Sequence, residues 1–85
     1  MELDNRIGEL IAVGASITAN CQPCLQYHVR KALESGADEH EVADAIEIGR
    51  MVRKGASAKM DKFVESLNAP YLASEDAKDG GCGCN

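Results

Sequence analysis

Apolar residues in this chain recur every three or four positions, and no stretch alternates apolar and polar residues over the length of a strand. That periodicity restricts the chain to an all-α fold. Leu3, Ile7, Leu10, Ile11, Gly14 and Ile17 form a first helical series, which Asp4 is placed to cap. Ala12, Ala15 and Ala19 join Gly14 in a small-sided surface that lets a neighbouring helix approach closely. A second helix is expected from about Cys21 to Ser35, with Asn20 as its N-cap and Gly36 closing it in the left-handed conformation. Its inward face would hold Cys21, Cys24, Leu25, His28, Val29, Ala32 and Leu33. The third start is the clearest: Asp38-Glu39-His40-Glu41 has the spacing of a capping box and leads into Val42, Ala45, Ile46, Gly49 and Val52. Acidic residues lead in this helix and Arg50, Arg53 and Lys54 follow, an order that suits the helix dipole and reads as a solvated face. The weak helix formers Gly55-Ala56-Ser57-Ala58 are read as a break, with a separate fourth helix through Met60, Phe63, Val64 and Leu67 that ends near Pro70.

With 85 residues the chain is one small domain, and its only aromatic residues are Tyr27, Phe63 and Tyr71. A core of that size is thin, so helix faces are expected to be completed by partner subunits in a homo-oligomer. Met51 and Met60 are expected to fill core or interface gaps. The helical domain is assigned to residues 1–73, and residues 74–85 to a flexible tail rich in glycine and ending in Cys82-Gly83-Cys84. A net charge of -5 argues against nucleic-acid backbones and anionic membranes as partners. No apolar run reaches the length of a membrane span, and the acidic start lacks the basic region of a signal peptide, so a cytoplasmic location is expected. Four cysteines in a reducing compartment read as catalytic or metal-binding groups.

The reactive chemistry concentrates in Asn20-Cys21-Gln22-Pro23-Cys24-Leu25-Gln26-Tyr27-His28. At helical spacing Cys21, Cys24 and His28 share one stripe. Pro23 suits a first turn, where its missing N–H has no helical partner to lose. Free N–H groups and the positive end of the dipole favour a thiolate at a helix start, which gives a Cys-x-x-Cys pair redox character. Two small buried core cysteines are the plainer alternative. His28 is either a base for Cys24 or a satisfied helix histidine. Glu9, by its pattern alone, is a surface glutamate at the edge of an apolar stripe, and His40 is an exposed residue beside a cap. Tyr27 lies off the stripe and is expected to pack. A competing reading takes Cys21, Cys24, His28, Cys82 and Cys84 as soft ligands for zinc or copper.

Taken together, Glu9-Leu10-Ile11-Ala12, the segment Cys21 to His28, Ala32-Leu33-Glu34-Ser35-Gly36-Ala37 and Glu41-Val42-Ala43-Asp44-Ala45-Ile46 resemble the carboxymuconolactone decarboxylase and AhpD-like alkylhydroperoxidase family over about residues 3 to 67. The resemblance is to the thiol-peroxidase branch, whose Glu, Cys-x-x-Cys and His fall at the spacing of Glu9, Cys21, Cys24 and His28. It implies an all-helical bundle assembled as a trimer or hexamer, with a hydroperoxide as substrate and a dithiol as reductant. It assigns Cys24 as the attacking thiolate, His28 as its activator, Glu9 as the residue orienting the imidazole or relaying its proton, and Cys21 as the resolving thiol. Helix position alone would instead name Cys21 as the more acidic sulfur. The decarboxylase members lack this cysteine pair. Two departures stand out: the best-known peroxidases of the family hold two such units in one longer chain, and they carry a histidine where this chain has Pro23.

Three function classes follow: a thiol peroxidase or disulfide oxidoreductase, which needs no organic cofactor and no catalytic metal; a soft-metal protein; and a catalytically idle helical oligomer.

Overall fold

A computed structural model describes residues 1–67, which form three helices: α1 (Asn5–Thr18), α2 (Gln22–Glu34) and α3 (Glu39–Ser66). The described residues contain no strand, so this part of the chain is a small all-helical bundle. α1 is the shared element, with α2 on one side and α3 on another, while α2 and α3 barely meet.

Local chemistry sets the helix boundaries. Asp4 caps α1, its carboxylate accepting from the Ile7 N–H at 2.9 Å. At α3 the capping box is complete: Asp38 Oδ1 accepts from the Glu41 N–H at 2.9 Å, and Glu41 Oε1 accepts from the Asp38 N–H at 3.2 Å. α1 and α2 both close in Schellman motifs, in which a residue at positive φ turns the chain and the next N–H reaches back five residues. Gly36, at φ 103°, does this for α2, and Ala37 donates to the Ala32 carbonyl at 3.0 Å.

Asn20 does the same for α1, which corrects its expected role. It lies at φ 57°, and the next residue, Cys21, donates its N–H to the Ser16 carbonyl at 3.0 Å. Asparagine is among the few non-glycine residues that tolerate this conformation, so it ends α1 and does not cap α2. The N-cap of α2 is Cys21 itself, and the helix runs from Gln22 to Glu34.

The second correction concerns α3. No break occurs at Gly55-Ala56-Ser57-Ala58; one helix of 28 residues continues to Ser66, at a rise giving roughly 42 Å. The low propensity of one glycine, about 1 kcal/mol, does not overcome an otherwise continuous helical sequence. The expected end near Pro70, the 1–73 and 74–85 division, Cys82 and Cys84 all extend outside the described residues.

The core is small, as the composition implies. Val13, Ala32, Ala37 and Val42 are buried, with Leu10, Leu25, Val29, Ala45 and Ile46 packed against them. α1 and α3 meet backbone to backbone at Gly14 and Gly49. A Cβ on Gly49 would stand 2.5 Å from the Gly14 carbonyl oxygen and 2.8 Å from the Ile17 Cβ, which only glycine avoids. Arg6 and Glu41 form an ion pair near the start of this contact, and Thr18 Oγ1 donates to the Gly49 carbonyl at 3.3 Å near its end. Every described residue from Arg50 onward is exposed. Met51 and Met60, at 63% and 61% exposure, are therefore not core residues of the protomer. Val52, expected on the packed face of α3, and Leu33, expected on that of α2, are exposed as well.

Candidate functional site

The turn from α1 into α2 holds the first part of the site. Because Asn20 reverses the chain, Cys21 enters α2 in an extended conformation with its side chain folded over the first turn. Its Sγ accepts from the Cys24 N–H at 3.3 Å, where a capping serine or aspartate would place an oxygen. Pro23 sits in the first turn without costing a helical hydrogen bond. The Cα atoms of Cys21 and Cys24 are 5.3 Å apart, and the two sulfurs are joined in a disulfide. Cys24 is exposed, against expectation for an inward-facing residue, while Cys21 is half-buried. Of the two, Cys24 is the one an incoming reagent meets first.

One turn beyond Cys24, His28 lies half-buried on α2 and meets Glu9 of α1, with 2.6 Å between Nδ1 and Oε1. Their side chains are only 30% and 25% exposed. Leu25, Val29 and Ala32 dock α2 on the core and fix its rotation, which turns the neighbouring His28 toward α1. A carboxylate on Nδ1 selects the tautomer with the proton on that nitrogen and leaves Nε2 as the basic one. Tyr27 packs edge-on against His28, ring centroids 5.0 Å apart, and carries the Arg30 guanidinium 5.4 Å from its own centroid. Four residues read from the sequence thus fall into two couples on α1 and α2: Glu9 with His28, and Cys21 with Cys24.

Two polar residues to which the sequence gave other roles also act here: Asn20, expected as the α2 N-cap, and Arg53, expected on the solvated face of α3. Arg53 of α3 donates through Nη1 to Asn20 Oδ1 at 2.9 Å and to the Ile17 carbonyl at 3.3 Å. It latches the cysteine-bearing turn to α3 and borders a cavity of about 210 Å³ that Cys21, Gln22 and Leu25 also line. Nothing local foretells this, since Arg53 and Asn20 are 33 residues apart.

The metal reading gains no support from this arrangement. Among the described residues no three His, Cys, Asp or Glu side chains converge in a group able to hold a metal ion. Cys82 and Cys84, which that reading required, lie outside those residues. His40 is exposed, as expected of a residue next to the α3 cap.

A helical bundle with a bonded Cys-x-x-Cys at a helix start, beside a carboxylate–imidazole couple, defines a redox-capable thiol protein. The family profile described as Carboxymuconolactone decarboxylase family matches residues 2–63, and the chain belongs to that family. Among curated proteins, the chain is 34% identical over 55 residues to "Uncharacterized protein 4 in cox locus" of Paracoccus denitrificans, a match that covers 65% of this chain and 50% of the relative. The chain therefore spans about half the length of the curated relative it matches. No solved structure matches it. None of the described helices is long and apolar enough to cross a membrane.

Proposed function

We propose that the protein is a thiol-dependent peroxidase that reduces hydroperoxides through Cys24 and Cys21. The observation that carries this reading is the 2.6 Å contact of Glu9 with His28, one helical turn from an exposed cysteine that is bonded to a second one. A cysteine pair in a core has no need of an oriented base beside it, whereas a nucleophilic thiol does.

In the reduced protein His28 Nε2 takes the proton of the Cys24 thiol, and Glu9 holds the ring and stabilises its positive charge. The Cys24 thiolate attacks the outer peroxide oxygen. The O–O bond breaks, Cys24 becomes a sulfenic acid, and the alkoxide leaves as an alcohol on taking a proton from the imidazolium. Cys21, whose sulfur sits at the helix N-terminus, attacks the sulfenic sulfur, forming the disulfide and releasing water. An external dithiol then returns two electrons and two protons through a mixed disulfide and leaves as a cyclic or bridged disulfide. Exposure of Cys24 gives that dithiol a sulfur to attack.

The test is turnover of hydroperoxide by a panel of small dithiols with wild type and with Cys24→Ser. Consumption by wild type and none by the variant supports the assignment. Dithiol oxidation without any peroxide requirement would make the protein a disulfide oxidoreductase using the same pair, and equal consumption by both proteins would remove Cys24 from the chemistry. An idle oligomer predicts no turnover by either.

A further inference from the structure

Arg53 takes no part in the Glu9 and His28 couple, yet it is tied to the turn that carries Cys21. It stands on α3 four residues past Gly49, one helical turn beyond the close approach of α3 to Gly14. From there its side chain acts past the end of α1, on the turn that feeds α2. Its Nη1 donates to the Ile17 carbonyl at 3.3 Å, in the last turn of α1, where the helix dipole favours a cation. The same nitrogen donates to Asn20 Oδ1 at 2.9 Å. Asn20 is the residue whose positive φ sets the direction in which Cys21 leaves α1. One guanidinium therefore holds both sides of the bend.

The bend matters because Cys21 lies just outside the helix that holds Cys24. Cys24 has the backbone of α2 to fix it, whereas Cys21 is extended, at φ -109° and ψ 101°. While the disulfide stands, the bond itself keeps the two Cα atoms 5.3 Å apart. Once the bond is reduced, three contacts keep the Cys21 sulfur in place. Its N–H donates to the Ser16 carbonyl at 3.0 Å, its Sγ accepts from the Cys24 N–H at 3.3 Å, and Arg53 braces Asn20. A left-handed backbone is unfavourable for an asparagine left to itself, so an unbraced turn spends time in conformations that carry Cys21 away from Cys24. The cavity of about 210 Å³ that Cys21, Gln22, Leu25 and Arg53 line is room for that movement.

We propose that Arg53 is a positioning residue for Cys21: by bracing Asn20 it presets the reduced thiol for bond formation with Cys24. Two consequences follow from the conformational freedom it removes beforehand. In exchange with a small dithiol, the protein disulfide and the dithiol give the protein dithiol and a cyclic disulfide, and the brace favours the bonded protein. The second consequence rests on the peroxidase reading. The Cys21 thiolate attacks the sulfenic sulfur of Cys24, the S–S bond forms as the S–O bond breaks, and the hydroxide leaves as water on taking a proton. Arg53 speeds this closing step and leaves the attack on peroxide to Cys24, His28 and Glu9.

The test equilibrates the full chain in mixtures of reduced and oxidised dithiothreitol at neutral pH, followed by thiol alkylation and peptide mapping of Cys21 and Cys24. Arg53→Met is expected to shift the equilibrium about tenfold toward the dithiol, or about 30 mV, at unchanged helical circular dichroism, since Arg53 is exposed. Arg53→Lys keeps the charge with a shorter reach, and a shift of about threefold is expected. Should Arg53→Met lower the helical signal, the lysine variant carries the test. Arg50→Met removes the same charge from an exposed site on the same helix, where it faces Glu47 at 3.8 Å, and should shift nothing. In a second measurement, reduced protein meets a hydroperoxide and a 1,3-dicarbonyl that traps sulfenic acid. Arg53→Met is expected to yield about tenfold more adduct on Cys24 at an unchanged rate of peroxide loss. An unchanged equilibrium in Arg53→Met, an equal shift in Arg50→Met, or no gain in adduct in a protein that reacts with peroxide overturns the proposal. The equilibrium uses no peroxide, so a chain that shifts as expected but never consumes hydroperoxide retires the peroxidase reading alone.

Discussion

The two sides of α1 are built on different principles. Toward α2 it presents Glu9, and that seam carries the polar couples: a carboxylate on an imidazole, a sulfur accepting from a helix N–H, and a disulfide. Toward α3 it presents Gly14, and that seam is a backbone approach with an open apolar groove beside it. The first seam positions chemistry near water, and the second sets how closely α3 approaches α1 and leaves an open apolar groove beside it. Substitutions on the α2 side should therefore change redox behaviour with little change in folding, and those on the α3 side should do the reverse.

The largest expected effect is at Cys24. Cys24→Ser should lower peroxide turnover by about a hundredfold or more, because a serine hydroxyl is a far weaker nucleophile than a thiolate near neutral pH. Its exposed position predicts an unchanged helical signal; a peroxidase assay beside circular dichroism checks both. Gly49→Ala is the counterpart on the other side. Its Cβ would overlap the Gly14 carbonyl, so a loss of about 1 to 3 kcal/mol is expected, measured by urea denaturation, with peroxide reactivity retained while the protein is folded. A stable Gly49→Ala protein would mean that the two helices separate freely and that the seam is not backbone-limited.

Glu9→Gln should act more mildly. The amide keeps a hydrogen-bonding group near Nδ1 but removes the charge that stabilises the imidazolium, so kcat/KM is expected to fall about tenfold at unchanged thermal midpoint. A large loss of stability with no change in rate would reassign the couple to packing. The smallest effect is Gly8→Ala, on the same helix as Gly14 but with open space around its Cβ, which should stabilise by up to about 1 kcal/mol. Opposite signs at Gly8 and Gly49 would show that contact and not helix propensity governs the α3 side.

Features set by neighbouring residues were legible in the sequence. Asp4, the Asp38–Glu41 box and Gly36 act within four or five residues, and each appears in the structure in the role its position implies. Asn20 was misread because asparagine suits both a helix start and the left-handed residue past a helix end, and only the bond from the Cys21 N–H to Ser16 decides between them. The continuity of α3 was hidden for a related reason: local propensity at Gly55 weighs against helix without breaking one. Within the site, the Cys21, Cys24 and His28 spacing shows in the sequence, whereas Glu9 reads by pattern alone as a surface residue and is singled out only by the family resemblance, because its contact with His28 forms when α1 docks on α2. The Arg53 latch on Asn20 depends on how α3 crosses α1, which no spacing encodes.

The account rests on His28 as the base that Glu9 orients toward the cysteine pair. Its most direct test is a single-turnover reaction of fully reduced protein with a hydroperoxide, following formation of the Cys21–Cys24 bond by rapid quench and peptide mapping, in wild type and His28→Ala. The expected result is bond formation in both, slowed about a hundredfold in the variant at neutral pH. Equal rates would contradict the account and leave the Glu9–His28 couple a structural contact between α1 and α2.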